Sequence, residues 1–203
     1  MNLNKKEAQA EVIEDNQEDA KWKDHLVATR DVGGHHGDTR EFDDVDQLED
    51  MYDAFTIPKI VGIELYTDFD MHHGYQAIYS GNVRARKNIA SHAMHHDRVQ
   101  TIRYDLDDDE YVSSISGRST GAHVMLVTVH TSKGRMLSAG HQDKGDPVDF
   151  NIPNDCAVVA LGGGRNGHLH NFKCTYVDLH KFSARQQKQF AGEVIKKAEP
   201  ENE

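Results

Sequence analysis

Between residues 60 and 179 the apolar side chains return at every second position, in short runs closed by Gly, Asn or Asp. A spacing of two is the mark of a half-buried strand, and short strands at intervals of about ten residues belong to sandwich-like or barrel-like folds. "IVGIELYTD" aligns Ile60, Ile63 and Leu65, "VQTIRYDL" aligns Val99, Ile102, Tyr104 and Leu106, and "EYVSSISG" contributes Val112 and Ile115. "AHVMLVTVHTSKGRMLSAG" reads as strand, Ser-Lys-Gly turn, strand, and "CAVVALGGGRNG" with "LHNFKCTYVDL" forms a closing hairpin. No stretch between them is long enough for the helical crossover that parallel strands need. The chain is therefore expected to be all-β.

The closing hairpin contains a literal G-x-G-x-x-G at Gly162, Gly164 and Gly167. A dinucleotide loop must open into a helix whose N-terminus meets the pyrophosphate, with an acidic residue about 20 positions further on for the ribose. Here Phe172, Cys174 and Tyr176 follow at strand spacing, and Asp178 comes too early. The stretch is read as strand, glycine loop, strand, with its turn near Arg165. Such a turn would set Cys156 opposite Cys174; two small buried thiols are the plainer reading.

Residues 1–28 read as a polar, helix-prone arm, residues 29–180 as the β domain, and residues 181–203 as a C-terminal helix with a disordered tail. Ser183 is placed to cap that helix, with Phe190, Val194 and Ile195 on its apolar face. Both arms carry too little apolar surface to stand alone. A formal net charge of −11 repels nucleic-acid phosphates and anionic lipid, so neither is an expected partner. No apolar run can span a bilayer, and the charged N-terminus lacks a signal-peptide core, which makes a cytoplasmic location the expectation. Export by an unconventional route, or as a mature product, is the alternative.

The order of motifs resembles the jacalin-related lectins. The glycine-rich opening followed by F-D-D is matched by "GGHHGDTREFDD" (Gly33, Gly34, Gly37, Phe42, Asp43, Asp44). The strand I-x-G-I-x-[LV]-x-Y is matched from Ile60 to Leu65, and "DEYVSSISG" from Asp109 to Gly117 fits a third motif nearly letter for letter. "VTVHTSKGRML" and "GGGRNGHLHNF" follow in the family's order, so the likeness runs over roughly residues 30–179. It implies a β-prism of three four-stranded antiparallel sheets and non-catalytic sugar binding at one end. There a first glycine loop and the loop before the final strand hold sugar hydroxyls through backbone amides and one aspartate. Carried over, the carbohydrate-binding residues are Gly33, Gly34 and His35 in the first loop, with Gly164, Arg165, Asn166, Gly167, His168, His170 and Asn171 in the last. The aspartate's place falls on His170, or on Asn171 if the loop is one residue longer, and neither is a carboxylate. The alternative function is therefore a prism kept as a scaffold, docked through its arms onto a larger assembly. Glycans are the expected partners, with a homo-oligomer or larger assembly joined through the arms.

Fourteen histidines, several in doublets, are the other unusual feature. In "SHAMHHDR" His92, His95 and His96 would share one helical face and form a weak metal-ligand set; a polar insertion between strands is the competing reading. His35-His36, His168 and His170 would gather at one end of the prism, where protonation near pH 6 would make binding pH-sensitive. "DLDDDE" at 105–110 lacks the glycine of a calcium loop and reads as a solvated turn. No G-x-S-x-G or nucleophile–base motif occurs, so no enzyme activity and no cofactor are expected.

Overall fold

The computed structural model describes residues 17–35, 38–68, 70–89 and 98–192. In chain order the strands are β1 (Val27–Ala28), β2 (Val32–Gly33), β3 (Arg40–Asp43), β4 (Ile60–Thr67), β5 (His72–Tyr79), β6 (Val83–Arg84) and β7 (Asn88–Ile89). They continue with β8 (Gln100–Asp105), β9 (Val112–Ser119), β10 (Val124–Thr131), β11 (Met136–Gly140), β12 (Asp146–Asp149), β13 (Cys156–Arg165) and β14 (Leu169–Asp178). Among the described residues there are also two short α-helices, α1 (Val45–Met51) and α2 (Ala184–Phe190).

The strands form three antiparallel sheets. One runs β1-β14-β13-β3 with β2 also on β14; the second runs β11-β10-β9-β12; the third runs β6-β5-β4-β8 with β7 on β5. Each holds a path of four strands, as the motif order implies, and two of them carry an extra two-residue strand. Inward-facing side chains from all three sheets meet in one core, where Leu65, Tyr75, Val129, Val159 and Phe172 are all but inaccessible. The three-sided column is thus held by apolar burial from every face.

Two expectations need correction. Gly162, Gly163 and Gly164 are not a loop; they lie inside β13, and the turn falls at Asn166–His168. The reason is close approach. A Cβ on Gly163, whose φ is +154°, would stand 2.4 Å from the Asn171 carbonyl oxygen. The cysteines are not opposite each other either: Cys156 pairs with Asp178 and Cys174 with Leu161, and both thiols are free and buried.

The termini also pack differently from polar arms. Trp22 is fully buried in a single 3₁₀ turn (Trp22–His25), its indole N–H donating to the Asp53 carbonyl at 3.0 Å. Residues 27–28 then extend as β1 alongside β14 rather than continuing as helix, because pairing satisfies their backbone where a thin apolar stripe could not hold a helix. At the other end Ser183 does cap α2, in a capping box with Gln186. Gln186 is itself buried: its amide donates to the carbonyls of Ala20 and Phe55, both at 2.7 Å, and accepts from Ala20 N–H at 2.9 Å. Residues 1–16, Val194, Ile195 and the histidines 92, 95 and 96 lie outside the described residues.

Candidate functional site

Three hairpin turns meet at one end of the column: that between β4 and β5, that between β9 and β10, and that between β13 and β14. Ring contacts mark the junction. His168 lies 6.0 Å from His73 and 5.2 Å from His123, and His123 lies 5.1 Å from His170. The first glycine segment is wedged among them. Gly33 takes φ +116°, and a Cβ there would sit 2.0 Å from the His170 carbonyl oxygen, so only glycine fits. Gly34 N–H donates to that same oxygen at 2.9 Å, and a Cβ on Gly34 would stand 2.8 Å from the Gly121 oxygen. The expected gathering of the first and last loops is observed.

The carried-over positions differ in exposure. His35 is exposed, with Nε2 3.4 Å from Asp31 and Nδ1 3.7 Å from Glu41. Asn166 N–H donates to the His168 carbonyl at 3.1 Å, closing the turn, and its side-chain amide donates to the Asp38 carboxylate. Arg165, Gly167 and His168 are partly exposed on the same turn. The remaining three face inward. Gly164 is buried against Thr39, Asn171 and Glu41. His170 is only 8% exposed, its Nδ1 3.3 Å from the Ala122 carbonyl, to which the ring N–H donates. Asn171 is fully enclosed, its amide donating to the Gly34 carbonyl at 3.2 Å and to Glu41 at 3.4 Å. A side chain without exposure cannot touch a ligand, so Asn171 joins the loops rather than lining the open face.

Sequence reasoning did not find the 120–123 turn, which contributes Gly121, Ala122 and His123, nor Asp38, Arg40 and Glu41. The glycine in "STGAH" marks a turn, but nothing local says which end of the column it reaches.

The histidines beneath the turns are held by unlike forces. His73 Nε2 meets Asp68 at 2.8 Å. Partial burial pushes the Asp68 carboxyl up, but His73 and the amides of Asp70 and Met71 outweigh it and hold the carboxyl below its usual range. His72 has neither ring nitrogen hydrogen-bonded; complete burial, with His73 beside it, pushes its pKa down to about 3 and keeps it neutral. Among the described residues no three His, Cys, Asp or Glu side chains are disposed to hold a metal ion.

The geometry defines a class: a three-sheet β-prism whose tip is built from glycine-bearing turns. Residues 29–173 match the family model described as the jacalin-like lectin domain. The chain belongs to the jacalin-like lectin family. Among solved structures it is similar to the mannose-binding lectin from Champedak, at 19% identity and a TM-score of 0.58, covering 75% of this chain and 97% of that one. It is similar also to a mannose-specific jacalin-related lectin from Morus nigra, solved with mannose, at 15% identity and a TM-score of 0.57 over 75% of this chain and 95% of that one. Single-chain recombinant jacalin aligns at 20% identity and a TM-score of 0.59, over 75% and 94% of the two chains. A comparison with curated proteins finds no match. Among the described residues no helix is long and apolar enough to cross a membrane.

Proposed function

We propose that the protein binds carbohydrate, without catalysis, at the tip where the 33–35, 120–123 and 165–168 segments meet. The single observation that supports this most is the wedge at Gly34, which touches both the His170 backbone and the Gly121 turn and so makes three distant loops one surface. A sugar there would meet the backbone of Gly167, the His35 imidazole and the Asn166 amide, which offer both donors and acceptors to hydroxyls. The acceptor carboxylate comes from Asp38 on the first loop in place of the last. Single sites of this kind gain strength when several copies act together.

A glycan array tests the reading, with His35→Ala/Asn166→Ala as the paired variant. Binding by the wild type, lost by at least tenfold in the variant with the melting temperature retained, supports it. A blank array, together with a partner complex that requires residues 1–27, supports the scaffold reading instead.

A further inference from the structure

Arg165, the last residue of β13, stands directly opposite Arg40, the first of β3. Like charges facing each other across an antiparallel pair are destabilising. No acid relieves this pair: among the described residues neither guanidinium makes an ion pair or a side-chain hydrogen bond. The Arg165 Nε is moreover shut off from solvent with no partner, an expensive state for a charged donor. Burial, with the Arg40 charge added to it, lowers the Arg165 pKa.

The nearby carboxylates are turned elsewhere. Asp38 accepts from Asn166, and Glu41 lies with Thr39 against Gly164, on the face of β3 away from Arg40. Both arginines therefore sit at the rim of the proposed sugar site as uncompensated charge, in a protein whose net charge is −11. A planar fork of N–H donors matches a carboxylate bidentately. The protein's overall negative field repels long polyanions, so the fitting ligand is one acidic group on a short polar body.

We infer that the tip selects acidic glycans, the sugar carboxylate seating between Arg40 and Arg165 while the hydroxyls meet the Asn166–His168 turn. This rests on the carbohydrate-binding reading above and gives it a ligand class.

The test is an array of uronic-acid glycans, each printed beside its carboxyl-reduced counterpart, probed with the full chain, Arg165→Gln and Arg40→Gln. The expected result is at least one pair in which the acid binds tenfold tighter or more, a preference that shrinks as salt rises. Both variants should abolish that preference; Arg40→Gln, outside the segments proposed to meet the sugar hydroxyls, should leave neutral binding in place, and Arg165→Gln should melt no lower than wild type because a like-charge contact has gone. Equal binding within every pair overturns the inference and leaves the carbohydrate reading standing. A preference that survives in both variants, or an Arg165→Gln protein that melts lower and loses acidic and neutral glycans alike, also overturns it. No binding to any glycan removes both.

Discussion

The Tyr79 hydroxyl donates to Asp44 Oδ2 at 2.9 Å, and both side chains are completely buried. Asn88 contributes a longer contact to the other oxygen, at 3.5 Å. Asp44 thus lies in the interior with hydrogen bonds but, among the described residues, no cation. Burial, reinforced by Asp43, overcomes these bonds and raises its pKa from 3.8 to about 7.

That shift has a sign. A carboxyl whose folded pKa exceeds its unfolded one contributes stability that is fully present below pH 3.8 and lost as pH climbs toward 7. Asp44→Asn keeps an acceptor for Tyr79 and removes the titration. Melting followed from pH 4 to pH 8 should show the variant gaining roughly 3–4 kcal/mol on wild type over that range. Parallel curves would show that the carboxyl is not neutral when buried.

Glu110 works in the opposite direction. It is fully buried, and hydrogen bonds from the Arg135 guanidinium, one of them Nε to Oε1 at 2.8 Å, outweigh burial and draw its pKa from 4.5 to about 2. Its contribution is present above pH 4.5 and lost as pH falls toward 2. Glu110→Gln should cost about 2 kcal/mol at pH 7, the half-exposed arginine discounting the penalty of a broken buried pair. The deficit should vanish near pH 2. A deficit independent of pH would point to packing alone.

Gly33 and Gly121 make a contrast at the tip. A Cβ on Gly33 strikes backbone at 2.0 Å, whereas one on Gly121 meets nothing within 4 Å, although both have positive φ. Gly33→Ala should therefore cost more than about 3 kcal/mol, and Gly121→Ala only about 1 kcal/mol from backbone strain. Denaturant midpoints would check the order. Equal losses would mean that the first loop is free to move off β14.

Asn171→Asp places a carboxylate close to where the resemblance implies one, yet it should not strengthen sugar binding. The new oxygen would replace an amide that donates to Gly34 and Glu41, placing acceptor against acceptor in an enclosed site. A loss of about 3 kcal/mol at pH 7 is expected, recovering partly in acid as the group protonates. Chemical denaturation at pH 7 and pH 5 measures both. A variant as stable as wild type at pH 7 would show that the Asn171 amide does not tie the loops.

Much of the fold is legible in residues that repeat at a spacing of two. The runs from Ile60, Gln100, Val112, Val124 and Leu169 became β4, β8, β9, β10 and β14 because alternation records which face is buried. β5 left no such trace, since "HHGYQAIY" is enclosed on both faces and its two histidines imitate a polar insertion. Ser183 announced its helix because a cap acts within one turn of chain.

The site divides along the same line. From sequence alone, the resemblance implied that glycines, an asparagine and a histidine stand where the family's binding residues fall, for motif order survives in one dimension. Tertiary structure decided that His170 and Asn171 turn inward, that His123 joins them, and that Arg40 confronts Arg165. These are contacts between residues tens of positions apart. They arise only when three sheets close on one core, and no local preference encodes which turn will meet which.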